Sequence, residues 1–337
     1  MLVGWLLVGC AGPAREPAAG GAATTPVSTD PGDPCVAPPL DAPVVSLVEG
    51  TTESFQDFAA WWTVPEEPRA LVWFFHGSKG TYEQIDGVEV RYLMNLLTPQ
   101  GYAAVATNSS DRESAEWDKS STDPALNTEL ARLLALRDHL VATTALADDT
   151  PIVLAGFSDG GSTAAWFSSI ALDQGWDVRV VSIHNSPAAD YPSDGIEAPT
   201  FWAVSEHDNS TVKGGAERFA KAQEADLGWP SRYLVAPEVV LTPTRFARSP
   251  EVGENLSLGF FDEAVRLGLV AADGTRAVTD DLSQGAAMDE IARYFEANVD
   301  SVEAWRASAQ LRVTWATHRY NGYHAEEECR FYGRFIE

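Results

Sequence analysis

Short apolar runs alternate with amphipathic stretches along most of the chain. Residues 70–75 read A-L-V-W-F-F, the unbroken apolar pattern of a strand buried on both faces. Comparable runs predict strands over 102–107, 152–155, 178–183 and 200–204. Two leading strands are expected over 44–48 and 58–64, paired antiparallel. Between the strands, 82–97 reads as a helix that stops at Pro99 and Gly101. Residues 127–143 carry Leu130, Leu133, Leu134, Arg137 and Val141 along one helical stripe. Further helices are expected over 162–172 and 214–226. A strand over 311–316 and a helix over 325–335 complete the pattern. Such alternation predicts a mostly parallel central sheet with helices on both faces.

Two amphipathic helices are expected over 255–267 and 287–299, before the last strand; the second aligns Met288, Ile291, Phe295 and Val299 on one face.

The amino terminus has a different character. Residues 1–8, M-L-V-G-W-L-L-V, are apolar but far short of the roughly 20 residues that span a bilayer. Leu7-Val8-Gly9-Cys10 resembles a bacterial lipobox, in which the cysteine becomes lipidated after cleavage. No Lys or Arg precedes the apolar run, which departs from that pattern. Residues 1–9 thus read as a partial signal segment and 10–41 as a tether. Its stretch from Ala11 to Pro39 holds seven prolines and no aromatic residue. With Cys10 lipidated, Cys35 and Cys329 remain; in an oxidising compartment they are free to pair, and otherwise they are two buried thiols. The expectation is an exported domain over 42–337, extracellular or periplasmic, attached to a membrane through its lipid alone.

Charge narrows the partners. The chain has 23 Lys+Arg against 49 Asp+Glu, a net −26. Such a surface repels nucleic acid and anionic membranes, and it predicts a preference for neutral or cationic substrates. A hydrophobic content of 45% excludes a wholly disordered chain.

The chemistry centres on Gly156-Phe157-Ser158-Asp159-Gly160, between a predicted strand and a predicted helix. A serine at that sharp turn needs neighbours with almost no side chain, and the helix start favours negative charge. Its hydroxyl becomes a nucleophile only beside a base held by a carboxylate. Of six histidines, His324 is the expected base, because Gly322 allows its loop to reach back. His318 is the rival, closer to the predicted strand end. His139 reads as a packing residue and His76 as one that holds its own loop. Asp208 is the expected acid, with Glu206 and Asp194 as alternatives; a plain helix N-cap is its other reading. The backbone N–H of Asp159 supplies one oxyanion donor, and Ser78, or less directly Gly77, the second.

The order Ser158, Asp208, His324, with the His76-Gly77 loop after the third strand, resembles the α/β-hydrolase fold over about 42–337. The resemblance implies a serine hydrolase that cleaves small-molecule or polymeric carboxylic esters through an acyl-enzyme. A serine peptidase of the same fold and a catalytically inactive binding lipoprotein are the alternatives. His76-Gly77 is followed by Ser78-Lys79-Gly80, which departs from the hormone-sensitive-lipase type. Asp208 and His324 also lie farther apart than in compact members; against them, about 229–308 is a helical insertion before the last strand, which either roofs the site as a lid or packs to one side of it. No metal-ligand spacing stands out and the Gly-Ser turn lacks the residues of a phosphate loop, so no metal and no cofactor is expected.

Overall fold

The computed structural model describes residues 33–36, 49–187, 195–249, 251–278 and 285–336. Cys10, Asp194 and the leading strand expected over 44–48 lie outside the described residues.

Eight strands form one sheet: β1 (Thr51–Phe55), β2 (Phe58–Thr63), β3 (Ala70–Phe75), β4 (Tyr102–Thr107), β5 (Ile152–Phe157), β6 (Val178–His184), β7 (Thr200–Ser205) and β8 (Ser231–Ala236). Their spatial order is β1-β2-β4-β3-β5-β6-β7-β8. β2 runs antiparallel to both neighbours, and every pair from β4 through β8 is parallel. The hairpin joining β1 to β2 turns through Gln56 and Asp57, both at positive φ, as a tight two-residue turn requires.

The central strands are buried along their whole length because both faces are covered. Odd positions of β3 (Leu71, Trp73, Phe75) pack with Leu133, Leu136 and Phe167 from α2 (Thr128–Thr143) and α3 (Asp159–Asp173). Even positions (Ala70, Val72, Phe74) pack with Leu93 of α1 (Val88–Leu97) and Phe331 of α8 (Ala325–Gly333). The period-2 alternation thus divides one strand between two cores. α4 (Ser210–Ala225) covers the first face beside β7. This strand order, with a single antiparallel strand near one edge and helical crossovers, is the α/β-hydrolase fold. A disulfide joins Cys35 to Cys329 on α8, with Cα atoms 5.7 Å apart.

The carboxy-terminal third departs from expectation. Residues 311–316 are not a strand; they end α7 (Ser301–Thr314). The sequence L-R-V-T-W-A alternates as a strand would, but Ala304, Ala307, Leu311 and Trp315 fall at helical spacing and fill a third core. That core also takes Phe260 from α5 (Glu254–Arg266) and Ile291 and Phe295 from α6 (Ala286–Glu296). The eighth strand is β8, immediately after α4. The helical insertion therefore follows the last strand instead of preceding it. β8 lies at the sheet edge and only Ala236 of its six residues is fully buried, so it lacks the unbroken apolar run of the central strands.

Candidate active site

Ser158 stands between β5 and α3 at φ 57° and ψ −119°, a conformation that L residues rarely adopt. The glycines around it explain how the turn closes. A Cβ on Gly156 would meet the Gly160 carbonyl oxygen at 2.1 Å, and one on Gly160 would meet the Phe75 carbonyl oxygen at 2.1 Å. Both contacts are with backbone, which cannot yield. The Ser158 amide donates to the His184 carbonyl (2.8 Å), while its own carbonyl accepts from Gly161 and Ser162. The hydroxyl is thereby presented at the first turn of α3.

The ring that meets this hydroxyl belongs to His318. His318 Nε2 lies 2.8 Å from Ser158 Oγ, and Nδ1 lies 2.9 Å and 3.1 Å from the two carboxylate oxygens of Asp208. A carboxylate only accepts, so Nδ1 carries the proton and Nε2 is left to accept from the serine hydroxyl. Asp208 is sealed, with its side chain 1% exposed, whereas the His318 side chain is 38% exposed. The carboxylate is thus kept from water while the imidazole stays partly exposed.

Three backbone devices hold this arrangement. The His207 amide donates to the Ala316 carbonyl (2.9 Å), joining the acid's loop to the base's loop. Ala316 takes φ 47° and turns the chain sharply out of α7. Asn185 bridges three elements: its Nδ2 donates to Ser205 Oγ (3.0 Å) and to the Arg319 carbonyl, and its Oδ1 accepts from the Ser205 amide (2.6 Å). Nothing in the local sequence around Asn185 signals this role.

His324 is elsewhere. It is half-buried at the start of α8, bonds the backbone of Val235, and has a buried Nε2 without a hydrogen-bond partner among the described residues. Burial lowers its pKa. The expectation that His324 is the base fails here because α7 is a helix. A strand ending at 316 leaves His318 too close to the sheet to reach back, whereas a helix ending there delivers His318 directly over the elbow. Glu206, the alternative acid, instead accepts from the Glu238 amide (3.0 Å).

In the loop after β3, the Gly77 amide donates to Gln84 Oε1 (3.0 Å) and is thereby occupied. His76 is wholly buried. Its Nε2 accepts from the Ser109 amide (3.0 Å), so its Nδ1 proton faces the Gly77 carbonyl (2.9 Å). Burial lowers its pKa to about 4. The ring is therefore a neutral brace, as its position in the sequence suggests. The Asp159 side chain turns away to accept from the Trp117 amide (3.0 Å) and from Lys119 Nζ (2.6 Å).

A cavity of about 360 Å³ runs beside the elbow. The sheet supplies Phe74 and Phe157, the loop after β3 supplies Ser78 and Lys79, and α7 supplies Trp305 and Val313. Glu89 of α1, buried at its edge, locks the insertion to the base's loop. Its Oε1 accepts from Arg245 (3.0 Å), Arg248 and Gln310 (3.1 Å), and its Oε2 accepts from the Gly322 amide (2.9 Å). Burial alone pushes this carboxyl up, but Arg248 and Arg245, with the Gly322 and Gln310 donors, together hold it below its usual range.

No helix among the described residues is long and apolar enough to cross a membrane. No family model and no curated protein matches the chain. Solved structures align with it over part of its length. A ferulic acid esterase shares 15% identity over 56% of this chain and 88% of its own, with a TM-score of 0.43. A dienelactone hydrolase from Anabaena variabilis shares 21% over 57% of this chain and 86% of its own, with a TM-score of 0.41. The acylaminoacyl peptidase of Pyrococcus horikoshii shares 14% over 74% of this chain, with a TM-score of 0.41, and the match spans only 44% of that longer protein.

Proposed function

We propose that the protein is a serine hydrolase of carboxylic esters that works through an acyl-enzyme. The observation that carries this reading is the continuous set of hydrogen bonds from Asp208 through His318 to the Ser158 hydroxyl, at a strained turn and a helix start. Ser158 Oγ attacks the ester carbonyl carbon while its proton passes to His318 Nε2. The Asp159 and Ser78 amides hold the oxyanion, a contribution of about 3–4 kcal/mol per donor in enzymes of this kind. As the carbonyl re-forms, the ester C–O bond breaks and His318 protonates the departing alcohol. Water then attacks the acyl group with His318 again as base, releasing the acid and restoring Ser158. Asp208 stays ionised throughout and stabilises the imidazolium.

The domain is exported and tethered at Cys10 in this reading. The short apolar amino terminus, the proline-rich segment after it and the Cys35–Cys329 disulfide support that placement.

The test is hydrolysis of short p-nitrophenyl esters together with labelling by a fluorophosphonate probe. Both are expected in the native protein and both are lost in Ser158→Ala. Turnover unchanged by that substitution sinks the mechanism. Faster cleavage of dipeptide amides than of esters moves the assignment to a peptidase.

A further inference from the structure

The cavity beside the elbow carries a local charge opposite to that of the whole chain. Its lining includes three cations, Lys79, Arg306 and Arg319, and one carboxylate, Glu89, in a protein of net charge −26. Glu89 is already occupied by two arginines, a glutamine and a backbone amide. Arg306 is answered by Asp86 and Glu303. Arg319 donates to the His318 carbonyl (2.8 Å), next to the ring that meets Ser158. Lys79 differs from these: its ammonium makes no hydrogen bond or ion pair with any described residue.

The Lys79 backbone is held in place, while its side chain is exposed at the mouth of the cavity. It sits one residue after the oxyanion donor Ser78, at φ 63°, with its amide bonded to the Ser114 carbonyl (3.2 Å). It is one of only four lysines in the chain. With Gln84 and Arg306 it lies on the wall shared with a neighbouring hollow, whose own lining adds the acidic Glu49, Glu83 and Asp86. Lys79 and Arg306 therefore face both hollows, and Glu49, Glu83 and Asp86 line only the outer one. A concavity with an excess of one sign of charge attracts a ligand of the other sign.

We infer that the site takes esters that themselves carry a carboxylate, with the Lys79 ammonium as the counter-charge. This rests on the serine-hydrolase reading above and reverses the preference that net charge alone suggests. The rest of the cavity wall, Phe74, Val88, Phe157, Val313 and Tyr320 among it, is apolar and suits the hydrocarbon part of such an ester.

The experiment compares two matched pairs on the full chain. In one the acyl part is charged: mono-p-nitrophenyl glutarate against p-nitrophenyl valerate. In the other the alcohol part is charged: 4-acetoxybenzoate against its methyl ester. One pair is expected to favour the anionic member in kcat/KM by about tenfold, the scale of a hydrogen bond to a charged group, and which pair does so tells which half of the ester enters the cavity. Lys79→Gln is expected to remove most of that preference, Lys79→Glu to invert it, and added salt to weaken it. A native preference for the neutral member of both pairs, or a preference that Lys79→Gln leaves unmoved, overturns the inference while the hydrolase reading stands. If no ester is turned over, the hydrolase reading fails instead, and calorimetry with glutarate still decides on Lys79: binding by Ser158→Ala that is lost in the Ser158→Ala/Lys79→Glu double variant upholds it, and equal or absent binding overturns it.

Discussion

The backbone N–H of His207 donates to the carbonyl of Ala316 at 2.9 Å. This bond joins the loop after β7 to the end of α7, and each loop supplies one polar partner of the site one or two residues farther on. Asp208 and His318 lie far apart in sequence, yet the distance between their side chains is set by a main-chain contact that no side-chain substitution removes.

Replacing each rival histidine separates chemistry from packing. His318→Ala removes the base and should lower kcat by about 10⁴- to 10⁶-fold, as in other enzymes that lose this member of a triad. His324→Ala opens space under α8 and should destabilise the fold by about 1–3 kcal/mol while kcat stays within an order of magnitude. Steady-state kinetics on a chromogenic ester and thermal melts of both variants check this. Equal loss of kcat in the two would reject the assignment of His318.

The sequence allowed Ser158 to be found and its glycines explained, because the elbow is local: five consecutive residues dictate it. Asp208 was legible for a similar reason, lying directly after a fully buried strand. The base was not, because choosing between His318 and His324 depends on whether 311–316 is strand or helix. That segment satisfies both periods, and only the tertiary contacts of Leu311 and Trp315 with Phe260 and Phe295 decide it. Contacts between distant segments left still less trace. Nothing beside Glu89 in the sequence points to its partners Arg245, Arg248, Gln310 and Gly322, which lie far along the chain.

That Glu89 cluster leads to a second expectation. Glu89→Gln keeps the volume but takes from the buried Arg248 the carboxylate it pairs with, and removes one from Arg245. Removing one partner of a buried pair typically costs about 3–5 kcal/mol. The melting temperature should fall, and KM should rise, because Arg245 and Gln310 belong to the insertion whose α7 lines the cavity. A melt and a full kinetic analysis test both parts; an unchanged melting temperature counts against the cluster as the tie between insertion and core.

Lys119 should matter to the chemistry without touching substrate. It pairs with Asp159 at 2.6 Å, and both side chains are mostly buried. Without it, the Asp159 carboxylate stands uncompensated close to the amide that holds the oxyanion. Lys119→Ala should therefore lower kcat by roughly tenfold, consistent with the strength of electrostatic terms in such sites. Lys119→Arg should restore most of the loss, whereas a merely structural contact need not recover with charge. Single-turnover acylation rates give the readout.

The Cys35–Cys329 bond closes a loop across a sequence separation of 294 residues, tying α8 to the segment before the sheet. Loss of a native disulfide commonly costs about 2–5 kcal/mol. The Cys35→Ser/Cys329→Ser double variant should melt several degrees lower, and reductant should lower the native melt and leave the variant unchanged. Two free thiols titrating at Cys35 and Cys329 in the unfolded protein without reductant would show that the bond does not form.

His76 gives the fold a pH dependence whose direction is fixed by its burial. Burial lowers its pKa to about 4 from the usual 6.5. Above pH 6.5 the ring is neutral folded or unfolded, and its contribution to stability is fully present. As the pH falls below 6.5 the unfolded chain takes up a proton that the folded chain refuses, so stability declines until about pH 4. At about 1.4 kcal/mol per unit of pKa difference, the total is roughly 3 kcal/mol. His324, also lowered by burial, adds in the same sense. Urea denaturation at pH 7.5, 6.0, 5.0 and 4.5 should show this fall in the native protein and a shallower one in His76→Gln. The variant should be less stable at pH 7.5, because the Nδ1 and Nε2 contacts to Gly77 and Ser109 are disturbed, yet should lose less on acidification. Parallel curves for the two proteins would assign the acid sensitivity to other groups.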